Sequence, residues 1–366
     1  MPKIFELFGF PLTDRSPSAE SHRRQAKCPF MGKACDGGGN RYLSSLDTSK
    51  NPELRKYFQA EKIVPAGVCS LNIREGEQPW IVCPRRLLTL DHSEKAAAHQ
   101  ADTENRILSL SGFCAGTRLG VWTEVKIKTN SGDSDEKSFD YTFDYILVPI
   151  KSVSSEEILK LLGETWNHIS RKAQQAGYQF AQRNGITYIE DFPVGQPLVI
   201  EIMTSSTSGG DKKKRTQIPM AFEDAILGKP HNAPGINYRQ VWARMVSQLI
   251  VKSEVAINWG GKTIWVVQDT LAEYISNTTA LNLKKFLAKH TSEVNILCFG
   301  YGKLREEPEG PIKLKGGELY AGPISKNPKG ETGNSLQDII RTSFTPPIRT
   351  LLSVLIKKKM TRTLSL

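Results

Sequence analysis

No apolar run in this chain approaches the roughly 20 residues that a membrane helix needs. The opening residues, Met1-Pro2-Lys3-Ile4-Phe5-Glu6-Leu7, lack the long apolar stretch and small-residue cleavage site of a secretory leader. The two absences are consistent with a cytoplasmic protein that has no membrane partner. Internal repeats are also missing. Acidic residues are in short supply, 38 against 49 basic ones, which leaves a net charge of +11. Such an excess fits a polyanionic partner, because lysines and arginines release condensed counterions from phosphates. Charge alone does not choose between nucleic acid, anionic membrane and acidic protein. Cysteine is almost absent after the first quarter of the chain, where only Cys114 and Cys298 occur.

What remains is ordinary globular composition, with 39% hydrophobic and 24% charged residues over 366 positions. That length predicts about two domains. The division falls near residue 95, with residues 1–95 as a cysteine-bearing module and 96–366 as a second domain. Residues 1–25 read as a polar, loose basic arm, offering Arg15, Arg23 and Arg24 to phosphates. Short strands are predicted at Val68 to Ile73 and at Trp80 to Cys83, and a helix over 91–106. Gly37-Gly38-Gly39 reads as a flexible loop.

From Leu119 the spacing becomes that of strands. Val121, Thr123, Val125 and Ile127 alternate with Trp122, Glu124, Lys126 and Lys128, and a polar turn at Ser131 to Asp135 leads into a partner strand, Phe139 to Ile150. Ser154 and Glu157 have capping-box spacing and open a long helix that Gly185 stops. Pro197 to Thr204 is an apolar run typical of a central strand, broken by one acid, Glu201. A helix follows over Tyr238 to Ile257. Strands at Thr263 to Val267 and Val294 to Phe299 flank a helix at Leu271 to Ile275, and another helix covers Leu351 to Ile356. The order is mixed α and β around a central sheet.

Two constellations carry chemistry. The first is Cys28, Cys35, Cys69 and Cys83, two of them beside prolines in Cys28-Pro29 and Cys83-Pro84. In a reducing compartment clustered thiols more often hold a metal than form disulfides. Their separations of 7 and 14 residues are not the tight pairs of a zinc ribbon. His22 or His92 is a possible substitute for one ligand, and four sulfur ligands suit iron or zinc equally. The second constellation is acidic. Phosphodiester hydrolysis needs carboxylates that hold a divalent cation against the scissile phosphate. Asp144, in Phe143-Asp144-Tyr145, and Glu201, in Ile200-Glu201-Ile202, are placed to do so from neighbouring strands. An unpaired Glu201 in so apolar a strand would be costly and calls for a cationic partner. Asp140 is the rival for Asp144. Glu124 is a further candidate, or else a surface acid paired with Lys126.

Taken in order, Cys28-Pro29-Phe30, Gly67-Val68-Cys69-Ser70-Leu71-Asn72, Trp80-Ile81-Val82-Cys83-Pro84, Phe143-Asp144-Tyr145 and Ile200-Glu201-Ile202-Met203-Thr204 resemble the NotI-like (NotI/EagI) type II restriction endonuclease family. The likeness runs along most of the chain. It implies an α+β fold (α/β/α-type), a PD-(D/E)xK nuclease core with a mixed central sheet flanked by helices and a small N-terminal four-cysteine module. It implies Mg2+-dependent double-strand cleavage of DNA at a GC-rich palindrome by a homodimer, in a bacterial restriction-modification system with a cognate DNA methyltransferase. Asp144 and Glu201 then become Mg2+ ligands, Glu124 falls near a further family acid, and Cys28, Cys35, Cys69 and Cys83 become ligands of structural iron or zinc. Two departures stand out. Met203 occupies the motif's lysine position, with Lys212 or Lys213 as replacements from the next loop, and a helical segment, Ser154 to Asn184, is extra. A chain weakened at Met203 would remain a sequence-specific DNA-binding protein on the same fold. Candidate base readers are Arg23, Arg24, Arg85, Arg86, Arg239 and Arg244. The lysine runs at 212–215 and 357–359 are candidates for phosphate contact.

Overall fold

The computed structural model describes residues 1–37, 45–59, 61–129, 139–278, 283–304, 310–322 and 346–366. Gly38, Gly39 and the turn at Ser131 to Asp135 lie outside them. The N-terminal third comprises β1 (Lys3–Leu7), β2 (Phe10–Pro11), α1 (Pro17–Arg24), β3 (Lys27–Cys28), β4 (Lys33–Ala34), β5 (Ser45–Asp47), α2 (Pro52–Tyr57), β6 (Ile63–Pro65), β7 (Val68–Asn72), β8 (Trp80–Ile81) and α3 (Pro84–Leu87). Then come α4 (Ala97–Leu110), β9 (Arg118–Thr129), β10 (Phe139–Ser154), α5 (Ser155–Leu162), α6 (Trp166–Gln175), β11 (Phe180–Arg183), β12 (Ile186–Pro193) and β13 (Leu198–Met203). The last part holds α7 (Ile218–Ile226), α8 (Tyr238–Asn258), β14 (Lys262–Gln268), α9 (Asp269–Thr278), β15 (Val294–Gly300), β16 (Lys315–Gly322), α10 (Ile348–Leu355) and β17 (Arg362–Ser365).

The larger sheet is mixed, which agrees with the α+β class. β9 and β10 form the hairpin that the alternating residues require, with Phe139 opposite Thr129 and Val148 opposite Gly120. β13 joins β10 antiparallel, whereas β13, β14 and β15 run parallel and β16 returns antiparallel. A parallel neighbour requires a crossover, and α8 supplies it between β13 and β14. β13 is buried along its whole length and β14 from Thr263 onward, so both read as mainly apolar runs.

The N-terminal residues are ordered rather than loose. Ile4 and Leu7 are buried on β1, which pairs with β7, and α1 begins with a Ser16 cap and a proline in its first turn. One hydrophobic cluster contains Ile4, Phe8 and Trp80 together with Phe222, Met245 and Trp265, so the core runs across residue 95. Residues 154–184 also differ from the single helix expected of them. The Ser154–Glu157 capping box is formed, but Gly163, at φ +67°, closes α5 in the left-handed conformation. After α6 the chain turns into the β11–β12 hairpin, with Phe180 on β11 rather than on a helix.

Candidate active site and cysteine cluster

The β10–β13 ladder pairs Leu147 with Leu198, Ile146 with Val199 and Tyr145 with Ile200. The next pair in that register would be Asp144 and Glu201, and here the ladder stops. Carboxylates take over the backbone groups that the diverging strands release. Asp144 Oδ2 accepts the Ile202 N–H at 2.8 Å, and the Asp144 N–H donates to Glu201 Oε1 at 3.3 Å. Register opposites in an antiparallel pair project from the same face, so the fork brings two acids from strands 57 positions apart to one point. Both are buried, Asp144 5% and Glu201 2% exposed.

The cation that Glu201 requires comes from α8. Lys252 Nζ donates to Glu201 Oε2 in a short contact, lies 5.5 Å from the Phe143 ring centre and is itself buried. Burial pushes the Glu201 carboxyl up to about 8, the Asp144 charge adds to the shift, and Lys252 opposes it. Lys252 was not among the sequence-derived candidates, although a signal existed. Val241, Met245, Lys252, Val255 and Ala256 recur at helical spacing as buried positions of α8, and a lysine inside an apolar stripe needs a reason.

Other candidates fall elsewhere. Glu124 lies on β9 between the residues that pair with Phe143 and Tyr145, so it faces Asp144 across the hairpin, but its backbone is left-handed at φ +49° and its side chain is exposed. Lys126, its suggested partner, instead pairs with Asp140 at 3.3 Å, and Asp140 is exposed. Met203 packs in the cluster that holds Val241 and Met245. Lys212 and Lys213 sit in an exposed turn, with the Lys213 N–H bound by Asp211 Oδ1. Three proposed base readers are internal. Arg23 donates to the Pro11 and Asp14 carbonyls at 2.6 and 2.7 Å, Arg86 is bound by Glu6, and Arg85 donates to Asp36 and to the Tyr145 hydroxyl, both at 3.0 Å. Arg24, Arg239 and Arg244 are exposed.

The four cysteines converge although they come from separate elements. Cys28 lies on β3, Cys35 just after β4, Cys69 on β7, and Cys83 caps α3. All four line one small cavity, with Phe8, Asp36 and Arg85 among its other walls. The Val82 and Cys83 N–H groups donate to the Cys69 carbonyl at 3.0 and 3.2 Å, which fixes the second pair. Burial and the nearby Cys83 charge push Cys28 up to about 12 and raise Cys35 as well. Cys69 is raised first by the hydrogen bond it makes to Cys83 and then by burial, and Cys83 is lowered chiefly by that same bond. Thiols that obstruct each other's ionisation so strongly are a donor set that a cation would relieve. Among the described residues no group of three or more His, Cys, Asp or Glu is placed so that it could hold a metal ion, so the fit of the four thiols is one of composition and a shared cavity. All six cysteines are free. Neither histidine takes a thiol's place, since His92 is bound between Glu104 and Arg362 and His22 packs on Phe10.

No helix among the described residues is long and apolar enough to cross a membrane. No protein-family model, curated protein or solved structure matches the chain.

Proposed function

We propose that this chain is a Mg2+-dependent, site-specific DNA endonuclease similar to the NotI-like type II restriction enzymes, with a PD-(D/E)xK core. The observation that carries the reading is the fork between β10 and β13. It sets two buried carboxylates together where a sheet opens, with a lysine on the crossover helix against one of them. Mg2+ takes one or two protein carboxylates and completes its shell with water and substrate phosphate, so Asp144 and Glu201 are a sufficient protein donor set. The bound ion would polarise the phosphoryl oxygen and acidify the attacking water. The chain's own residues orient and exclude water. Backbone N–H groups fix both carboxylates, and Phe143, Val199 and Val255 pack in one apolar cluster beside them. Phosphate contact falls to exposed basic residues, among them Arg24, Arg239, Arg244 and Lys212. The net charge of +11 supports such a partner. A palindromic target would be met by a homodimer, with a methyltransferase protecting host DNA.

Cys28, Cys35, Cys69 and Cys83 are the residues that would hold iron or zinc as a structural staple across β3, β4, β7 and α3. Purified protein is expected to carry about one such ion per chain, and Cys69→Ser to lose both the ion and the cooperative thermal transition. Stoichiometric absence of both metals, with an unchanged transition in the variant, would count against the staple.

The function itself is tested by digesting plasmid and phage DNA with Mg2+. Discrete fragments that map to one short sequence are expected. A second reading, a DNA-binding protein that does not cut, is favoured by Met203 and by the near-complete burial of Asp144 and Glu201. It predicts site-specific gel shifts with no fragments from any DNA.

A further inference from the structure

We propose that Lys252 is the positioning lysine of this active site, supplied by α8 in place of the strand position that Met203 occupies. The proposal rests on the nuclease reading above and deepens it. Three observations lead to it. Met203 is two residues past Glu201 on the same strand face, and its uncharged side chain packs with Val241 and Met245, so no strand residue there offers a charge. Lys212 and Lys213 are exposed in a turn. Lys252 alone among these lysines reaches the carboxylates: its ammonium contacts Glu201 Oε2, while Glu201 Oε1 accepts the Asp144 N–H.

That division of labour fixes the carboxylate. One oxygen is held by the lysine and the other by the partner strand, so the Glu201 plane cannot rotate away from Asp144. Burying an ammonium costs several kcal/mol and is repaid only by good geometry. Two apolar side chains would fill the same space on α8 and β13 without that cost. The lysine's location follows from the helix: Val251, Val255 and Ala256, on either side of Lys252, pack against β10 and β13 with Phe143 and Val199. A side chain from that stripe can therefore enter the fork from above the sheet. The charge that a strand residue would supply from within the sheet arrives from the helix layer instead.

The test compares wild type with Lys252→Met, Lys252→Gln and Lys252→Arg in steady-state cleavage of an oligonucleotide carrying the mapped site. Lys252→Met is expected to lower kcat about a hundredfold, the size of effect that follows loss of one preorganised electrostatic group. KM and gel-shift affinity should stay within about threefold, since the lysine is buried against Glu201 rather than displayed on the basic surface. Lys252→Arg should recover at least about tenfold of that loss. If Lys252→Met melts below the assay temperature, Lys252→Gln carries the test, because it keeps a donor to Glu201 without the charge. A double variant, Glu201→Gln with Lys252→Met, removes both charges. It should melt close to wild type yet stay inactive, which separates catalysis from structural pairing. A Lys252→Gln enzyme with wild-type kcat beside an inactive Glu201→Ala overturns this inference and leaves the nuclease reading standing. A wild type that cuts no DNA overturns both.

Discussion

Glu201→Ala is expected to reduce Mg2+-dependent DNA cleavage by about a thousandfold or more, with Asp144→Asn close behind. The size follows from the geometry. Each acid is one of two carboxylates at the fork, so removing either leaves a single ligand for an ion that must also meet phosphate. The expected losses should not add, because both variants disable the same ion site. Binding should survive. With Glu201 gone, affinity for uncut DNA should stay within about threefold of wild type, since the exposed basic residues are untouched. A Glu201→Ala enzyme that still cleaves within tenfold of wild type would remove the fork from the chemistry. Asp140→Ala is the control, since that residue is exposed and paired with Lys126.

The second large effect is structural. Arg86→Met is expected to lower the unfolding free energy by about 3–5 kcal/mol, the cost of leaving a buried charge without its partner. Glu6 is fully buried and takes three bonds from Arg86, Nε to both oxygens and Nη2 to Oε1, while Ser70 and Tyr301 donate to Oε2 at 2.8 and 2.6 Å. Arg86 also donates to the Ile312 carbonyl and lies over the Phe30 and Tyr301 rings, each 4.9 Å away. This network joins the N-terminal sheet, the segment after Cys83 and the chain beyond β15. Its loss should loosen the cysteine cluster as well, because Arg86 is three residues from Cys83 and Phe30 shares the cluster with Cys28 and Cys69. Urea unfolding measures the effect. A change under about 1 kcal/mol would contradict the stabilising role given to this buried pair. Glu6→Gln with Arg86→Met should recover most of the loss, since no uncompensated charge remains.

Much of the sheet was legible because its residues report their surroundings directly. The alternation from Val121 to Thr129 can only serve a strand with one face covered, and the β10 run of aromatic and branched residues can only be its partner. The single acid in Leu198–Met203 pointed to a site for the same reason, since nothing but function or pairing keeps a carboxylate there. Lys252 stayed hidden because lysine is expected on the outer face of an amphipathic helix, and only its position within the buried spacing betrays it. The burial of Arg85 and Arg86 was equally hidden, because their partners Asp36, Tyr145 and Glu6 are distant in sequence. In the N-terminal sheet β7 and β8 were legible, but β1 was not, since it is only five residues long and its register with β7 shifts twice. The break at Gly163 was visible as a glycine, but the amphipathic spacing on both sides masked the stop.

The most direct measurement is a Mg2+ digest of plasmid and phage DNA by wild type and Glu201→Ala side by side. The account predicts discrete fragments from wild type and none from the variant, with gel-shift binding kept by both. Fragments of equal yield from both proteins, or site-specific binding with no cleavage by either, would contradict it.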